Sequence, residues 1–152
     1  MNKLCSIFLL IVLLGSLAGC KKDAKPQIPP ALIGTWYVRQ VTTTSSSDAF
    51  SDTPYTINYP DTAKNLYYLF KNNGTGVTPY SVDPNFVSVP PLGFTYQVSG
   101  NKITFSQITA IMMGHTYSFE MPTSNKLILR INYSYTQAGT VINNVQEITL
   151  AR

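Results

Sequence analysis

The chain has 152 residues, of which 44% are hydrophobic, and a formal net charge of +4; this length suits one domain. Ten tyrosines, seven phenylalanines and one tryptophan can supply a core, whereas two cysteines and one histidine are too few for a disulfide framework or a zinc site. From residue 34 onward seven basic residues stand against six acidic ones, a net charge of +1, so no basic surface of the kind that binds nucleic acid is expected.

Residues 1–20 have the layout of a secretory signal. A basic start at Lys3 is followed by an apolar stretch from Leu4 to Ala18, which is too short to span a bilayer. The sequence Leu17-Ala18-Gly19-Cys20 resembles a bacterial lipobox. The resemblance implies that residues 1–19 are a lipoprotein signal peptide, that Cys20 carries the lipid, and that the chain is anchored to a membrane of the cell envelope.

Residues 20–31 are expected to form a flexible tether, because this stretch is polar and rich in proline. Lys21 stands where an Asp would resemble the inner-membrane retention signal of many Gram-negative lipoproteins. The outer membrane is therefore the expected location, on either its periplasmic face or the cell surface. The expected partner is this membrane, not nucleic acid.

From Gly34 onward, apolar and polar side chains alternate with a period of two, which predicts strands and no convincing helix. In the last of them Gln146, Ile148 and Leu150 share one face. Turn signals separate the strands at 72–74, 99–101, 123–125 and 137–139. The predicted strands lie near 35–42, 54–59, 65–71, 75–80, 93–99, 102–107, 115–121, 126–136 and 143–151.

Two stretches interrupt the alternation and are predicted to be loops. Residues 42–54 are rich in Ser, Thr and Asp, and we expect a long mobile loop there. Residues 79–93 contain four prolines, which cannot donate to a strand ladder, so an extended and rigid loop is expected. Loops of this length on a sheet scaffold are common places for binding.

Three segments resemble those of lipocalin-like bacterial lipoproteins: Gly34-Thr35-Trp36, the hairpin at 68–76, and the chain end at 147–152. The resemblance covers about residues 32–152. It implies an all-β fold, an up-and-down antiparallel barrel of eight strands (eight to nine by the count above). It also implies that Trp36 plugs the closed end of the barrel. Because the first and last strands of such a barrel are neighbours, we expect Arg152 to lie over Trp36 and gain a cation–π contact. The alternative for Arg152 is an exposed terminus without this contact.

The inward-facing aromatic and aliphatic side chains are the candidate ligand contacts, because ligand pockets are apolar with a few polar tips. A competing interpretation is that large side chains simply fill a small barrel. We therefore expect non-catalytic binding of a small hydrophobic or amphipathic ligand, or else a filled barrel that contacts an envelope protein through its loops. The candidate ligand-binding residues are Tyr68, Phe70, Phe94, Tyr96, Phe105, Tyr117, Phe119, Leu129, Ile131 and Tyr133.

No catalytic residue, metal ligand or cofactor is predicted. His115 is the single histidine, and we expect it to pack near a barrel end. Glu120 and Glu147 fall opposite the apolar rows, so both carboxylates are expected to face water and not to form a catalytic pair. Asp61-Thr62-Ala63 resembles a short acceptor motif for O-linked glycans.

Overall fold

The computed structural model describes residues 27–47, 50–78, 91–106 and 115–152. The expected signal peptide, the lipidated Cys20 and most of the tether lie outside these residues. So do residues 107–114 and most of the Pro-rich loop predicted at 79–93. Within the described ranges, no helix combines the length and apolar character needed to cross a bilayer.

Nine strands follow a short 3-10 helix at Pro30–Leu32. Eight of them form a closed antiparallel barrel, because β1 pairs with β9 as well as with its other neighbours. This confirms the all-β, eight-stranded up-and-down barrel expected from the sequence, with one strand in addition. The strands are β1 Gly34–Ser47, β2 Phe50–Asn58, β3 Tyr67–Phe70, β4 Thr75–Thr78, β5 Leu92–Ser99, β6 Lys102–Phe105, β7 Thr116–Thr123, β8 Lys126–Gln137 and β9 Thr140–Ala151.

The additional strand is β2, and with β3 it behaves as one strand interrupted by a loop. β3 pairs with the first residues of β1 and β2 with the later ones. At the junction, Tyr59 N–H donates to the Arg39 carbonyl (2.8 Å) and Val38 N–H donates to the Leu66 carbonyl (2.9 Å). Tyr59 and Leu66 therefore lie opposite consecutive residues of β1, and residues 60–65 are an insertion in an otherwise continuous strand.

The inserted loop lies on the outer face of the barrel. Arg39 Nε is 3.1 Å from the Asp61 carboxylate, whose side chain is 95% exposed. Lys64 Nζ lies 4.5 Å from the centre of the Tyr37 ring. Asp61-Thr62-Ala63 is thus in an exposed turn, closed by a hydrogen bond from Ala63 N–H to the Pro60 carbonyl (2.9 Å). Glycosylation there remains a prediction.

The prediction of a long mobile loop over residues 42–54 is wrong. β1 continues to Ser47 and β2 begins at Phe50, so the stretch is a hairpin arm. The Ser and Thr side chains pair across strands, as between the hydroxyls of Thr42 and Thr56 (3.1 Å). Pro54 lies in β2, whose second edge is unpaired among the described strands, and a proline is tolerated at such an edge.

Among the described residues, one end of the barrel is filled by buried side chains and the other is more exposed, and we call them the closed end and the open end. The turns β3–β4, β5–β6 and β7–β8 lie with the start of β1 at the closed end, and the β1–β2 and β8–β9 hairpins lie at the opposite end because adjacent strands alternate in direction. The four long strands β1, β2, β8 and β9 form the wall that reaches farthest toward the open end. The packed core occupies the closed half.

Candidate ligand site

Trp36 closes one end of the barrel. Its side chain is fully buried, and its Nε1 donates to the carbonyl of Leu32, 2.8 Å away. The guanidinium of Arg152 lies 4.1 Å from the centre of the indole, and the two side chains are therefore together as the strand order predicts. The Arg152 Nη2 also donates to the carbonyls of Ala31 (2.5 Å) and Ile33 (2.7 Å). These contacts hold the start and the end of the domain together.

Six of the candidate ligand residues form one aromatic cluster above this plug. All are at most 5% exposed, and neighbouring ring centres are 5.1–6.4 Å apart. Edge-to-face pairs at such separations are favourable. Rings in contact with each other leave no room for a ligand between them, so we interpret this cluster as packed core. Its members are Tyr68, Phe70, Phe94, Tyr96, Phe105 and Tyr117.

Three of the other candidates also belong to the closed half or its border. Leu129 is fully buried. Phe119 pairs with Leu129, and its N–H donates to the Asn101 carbonyl in the β5–β6 turn (2.7 Å), so it is at the closed end. Ile131, two residues further along β8 than Leu129, is only partly buried. Along β8, complete burial of the inward-facing side chains therefore ends between Leu129 and Ile131.

Inward-facing side chains of β8 become steadily more exposed toward the open end. Leu127 and Leu129 are fully buried, Ile131 and Tyr133 are half-buried, and Tyr135 is 47% exposed. Burial raises the pKa of the Tyr133 hydroxyl above its usual value, and the neighbouring Tyr135 raises it further. The same row of side chains thus forms core at one end of β8 and an accessible wall at the other.

The facing row of β9 is buried but partly polar. Asn144 and Gln146 are 4% and 5% exposed, and they pair across the sheet with Tyr133 and Ile131. Tyr117 Oη donates to Gln146 Oε1 (3.2 Å). Ser45 Oγ donates to Asn144 Oδ1 (2.6 Å). A layer of uncharged hydrogen-bonding groups therefore covers the aromatic cluster.

Sequence reasoning did not select this polar layer as a site. The alternation puts Gln146 on the same face as Ile148 and Leu150, as the structure confirms, but the candidate ligand contacts predicted from the sequence are all apolar or aromatic. The available signal was an amide in the middle of an inward-facing row. Such a group is rarely buried without a hydrogen-bonding purpose.

Aromatic and aliphatic side chains continue the wall at the mouth of the barrel. Tyr55 pairs with Thr43 and Ile57 pairs with Val41, which places both on the inner face of the sheet. Tyr55 is 68% exposed and Ile57 is 37% exposed. Exposed aromatic and aliphatic groups at a concave surface favour binding of a partly apolar molecule.

Two grooves lie outside the barrel wall. One, of about 570 Å³, is at the closed end between the β3–β4 hairpin and β5, where Ile28 packs beside Gly74. The other, of about 270 Å³, is on the outer face around Ser118 and Arg130. Neither groove includes an inward-facing polar side chain of β9, so neither belongs to the candidate site.

The charged residues that were weighed for catalysis are on the outer face. Arg130 Nε is 2.6 Å from Glu147 and its Nη2 is 3.3 Å from Glu120, and all three side chains are at least one-third exposed. The hydrogen bond from Arg130 to Glu147 is the main cause of the raised pKa of Arg130. His115 is exposed, with Nδ1 3.1 Å from the Phe105 carbonyl. Across the described residues, no three His, Cys, Asp or Glu side chains gather as a metal site.

Comparison with known proteins supports the same fold. The family model for a lipocalin-like domain matches residues 32–129, which is more than half of the chain. No curated protein and no solved structure matches the sequence. The matched segment runs from the 3-10 helix before Trp36 to the end of the buried part of β8. The chain therefore belongs to the family of lipocalin-like domains.

Proposed function

We propose that this protein is a lipoprotein of the cell envelope, and that its barrel binds a small hydrophobic or amphipathic molecule without catalysis. The lipocalin-like barrel suggests ligand binding in general. The observation that supports the finer statement is the exposure gradient along β8, from fully buried Leu129 to half-exposed Tyr135. A ligand would lie against Ile131 and Tyr133, and its affinity would come from removing apolar surface from water.

Binding is tested by native mass spectrometry of the purified protein after incubation with a lipid extract of bacterial membranes. We expect a reproducible added mass. Ile131→Trp should abolish it, because the larger ring occupies the space next to Gln146. Asn132→Trp is the matched control, since its side chain is on the outer face of the same strand. Protein without added mass in every extract would contradict ligand binding.

The proposed anchor is a lipid on Cys20, at the outer membrane. Its support is the lipobox resemblance of residues 17–20 and the polar stretch that follows. When the full chain is produced in a Gram-negative bacterium with labelled palmitate, we expect label in the protein and the protein in the outer-membrane fraction.

Cys20→Ala should remove both the label and the membrane association. Cys5→Ala is the matched control and should leave them unchanged, because Cys5 lies in the stretch that is expected to be removed. A labelled Cys20→Ala protein would exclude the proposed attachment point.

The alternative function is an accessory module that binds an envelope protein. Its support is the filled closed half together with Val141 and Val145, which are 54% and 46% exposed on the outer face of β9. Crosslinking in intact cells distinguishes the two functions: a single partner, lost on Val145→Asp but kept on Ile131→Trp, would favour this alternative.

A further inference from the structure

We infer that the ligand carries an uncharged polar group, and that this group enters first and meets Gln146 and Asn144. The ligand class is thus a neutral amphipath, such as a long-chain alcohol, amide or ester. This inference rests on the proposed function, because it specifies what the open half of the barrel would bind.

The depth of the polar layer supports this orientation. Asn144 and Gln146 are each at least 95% buried and point into the barrel above Tyr117. On β8, Ile131 and Tyr133 lie directly opposite these two amides, and the next facing pair toward the open end is Tyr135 with Ile142. A ligand that follows this sequence of surfaces has its polar group innermost and its apolar body toward the mouth.

The amide groups of the layer offer donors to a ligand. Both amide oxygens already accept hydrogen bonds, from Ser45 and Tyr117. The Asn144 nitrogen reaches only the Ile142 carbonyl, at 3.5 Å, the outer limit of a hydrogen bond. The Gln146 nitrogen has no acceptor among the described residues.

That nitrogen is not sealed from solvent. Among the described side chains, no nitrogen or oxygen atom that is sealed from solvent lacks a partner. The Gln146 nitrogen is therefore in contact with accessible space. A donor held in a nearly dry site, without an acceptor of its own, gains most from a ligand that brings an oxygen.

The lack of charge around the layer selects against an ionised ligand. On the described inner faces of β1, β7, β8 and β9 every side chain is neutral. The nearest charged group along β9 is Glu147, which pairs with Arg130 on the outer face. A carboxylate carried to the depth of Gln146 would lose its water without gaining a cation, which is unfavourable.

The test uses two ligands at pH 8, decan-1-ol and decanoate, which have the same chain length and differ in the charge of the head group. Butylbenzene is added as an apolar probe. Affinities for the purified protein are measured by isothermal titration calorimetry. We expect decan-1-ol to bind at least tenfold more tightly than decanoate. Equal affinities, or tighter binding of decanoate, would overturn the inference.

The variant Gln146→Met removes the amide at nearly constant size. We expect it to weaken decan-1-ol about threefold to tenfold, as for the loss of one hydrogen bond, and to leave butylbenzene within about twofold, since the apolar contacts of the wall remain. Val145→Ile on the outer face is the matched control. Near-UV circular dichroism checks that each variant is folded. If the Gln146→Met protein does not fold, Asn144→Leu is tested in its place.

The outcomes separate this inference from the proposed function. If butylbenzene binds and Gln146→Met leaves decan-1-ol unchanged, the barrel binds ligands but the head-group assignment is wrong. If none of the three probes binds to the wild-type protein, the proposed function is wrong, and the inference fails with it.

Discussion

At the scale of single residues, the position of Arg152 explains why the Gly-x-Trp segment has a glycine at 34 and a tryptophan at 36. Gly34 has a φ of +124°, a conformation that side chains of other residues rarely adopt. It lets the chain turn from the 3-10 helix into β1 directly beneath the guanidinium, whose Nη2 is 3.7 Å from where a Cβ would be. Trp36 then presents its ring to the same guanidinium. Gly34 and Trp36 at the start of β1, and Arg152 just after β9, thus close the same end of the barrel together.

Arg152→Met should lower the free energy of unfolding by about 1–3 kcal/mol, because it removes a cation–π contact and two hydrogen bonds from a charged donor. Arg152→Lys is the control and should lose less, since it keeps the charge although it cannot make the same fork of contacts. Urea titration followed by the fluorescence of Trp36 measures both. Equal stability of wild type and Arg152→Met would show that the plug is held by burial alone.

At the scale of elements, the division of one strand into β2 and β3 is the main departure from a simple eight-stranded meander. The loop between them contacts the rest through Arg39, which pairs with the exposed Asp61 and donates to the Pro60 carbonyl (3.2 Å), and through Lys64 over Tyr37. Exposed ion pairs contribute little. The buried anchor of the junction is Leu66, which is 3% exposed.

Deleting residues 60–65 should join β2 and β3 directly and keep the barrel. We expect the free energy of unfolding to fall by less than about 3 kcal/mol, the sum of one ion pair with an exposed carboxylate, one exposed cation–π contact and the hydrogen bond from Arg39 to Pro60. Leu66→Ala is the comparison, with an expected loss of about 2–5 kcal/mol from a cavity in the core. A deletion protein without the circular dichroism of a sheet would show that the loop is needed for pairing.

The strands could be predicted because alternation reports directly on a barrel wall with one buried face. The 42–54 stretch was missed for a specific reason: Ser and Thr are typical of loops, yet Thr42 and Ser45 satisfy their hydroxyls through Thr56 and Asn144 in neighbouring strands. Those partners are close only in the folded sheet. The break between β2 and β3 agrees with the separate strands predicted near 54–59 and 65–71. That the two segments continue one barrel strand could not be predicted, because it depends on the pairing of both with β1.

At the scale of the whole molecule, a filled half and an open half follow from how the inward-facing rows change along the barrel. The alternation of side chains places the aromatic candidates on the inner face, but it carries no information about their position along the barrel axis. Phe70 and Tyr133 both face inward, yet one is in the closed core and the other is half-buried. The position of a side chain along the barrel axis depends on the stagger between strands, which cannot be read from the sequence of a single strand.

Alkaline pH should destabilise the whole barrel. Burial raises the pKa of Tyr96, whose hydroxyl donates to the Lys71 carbonyl (2.7 Å), above the value of 10.0 of an exposed tyrosine. The pKa values of Tyr59 and Tyr133 are raised mainly by burial as well. Because the unfolded chain loses these protons first, the stabilisation is complete below pH 10 and is lost as the pH rises through the folded pKa values.

The free energy of unfolding, measured by urea titration at successive pH values, should therefore fall with pH above about 10. Tyr96→Phe should be less stable at pH 7, since the hydrogen bond to Lys71 is lost, but should decline less steeply above pH 10. A decline as steep as that of the wild-type protein would show that Tyr96 does not contribute to the alkaline transition.

The chain reaches the barrel at its plugged end, where Ile28 packs beside the β3–β4 hairpin and Arg152 grips the backbone of Ala31 and Ile33. Any attachment of the chain ahead of Gln27 is therefore connected to the closed end of the barrel. The rim formed by Tyr55 and Tyr135 points the other way. If Cys20 carries a lipid as proposed, the attachment and the ligand-binding mouth are therefore at opposite ends of the barrel.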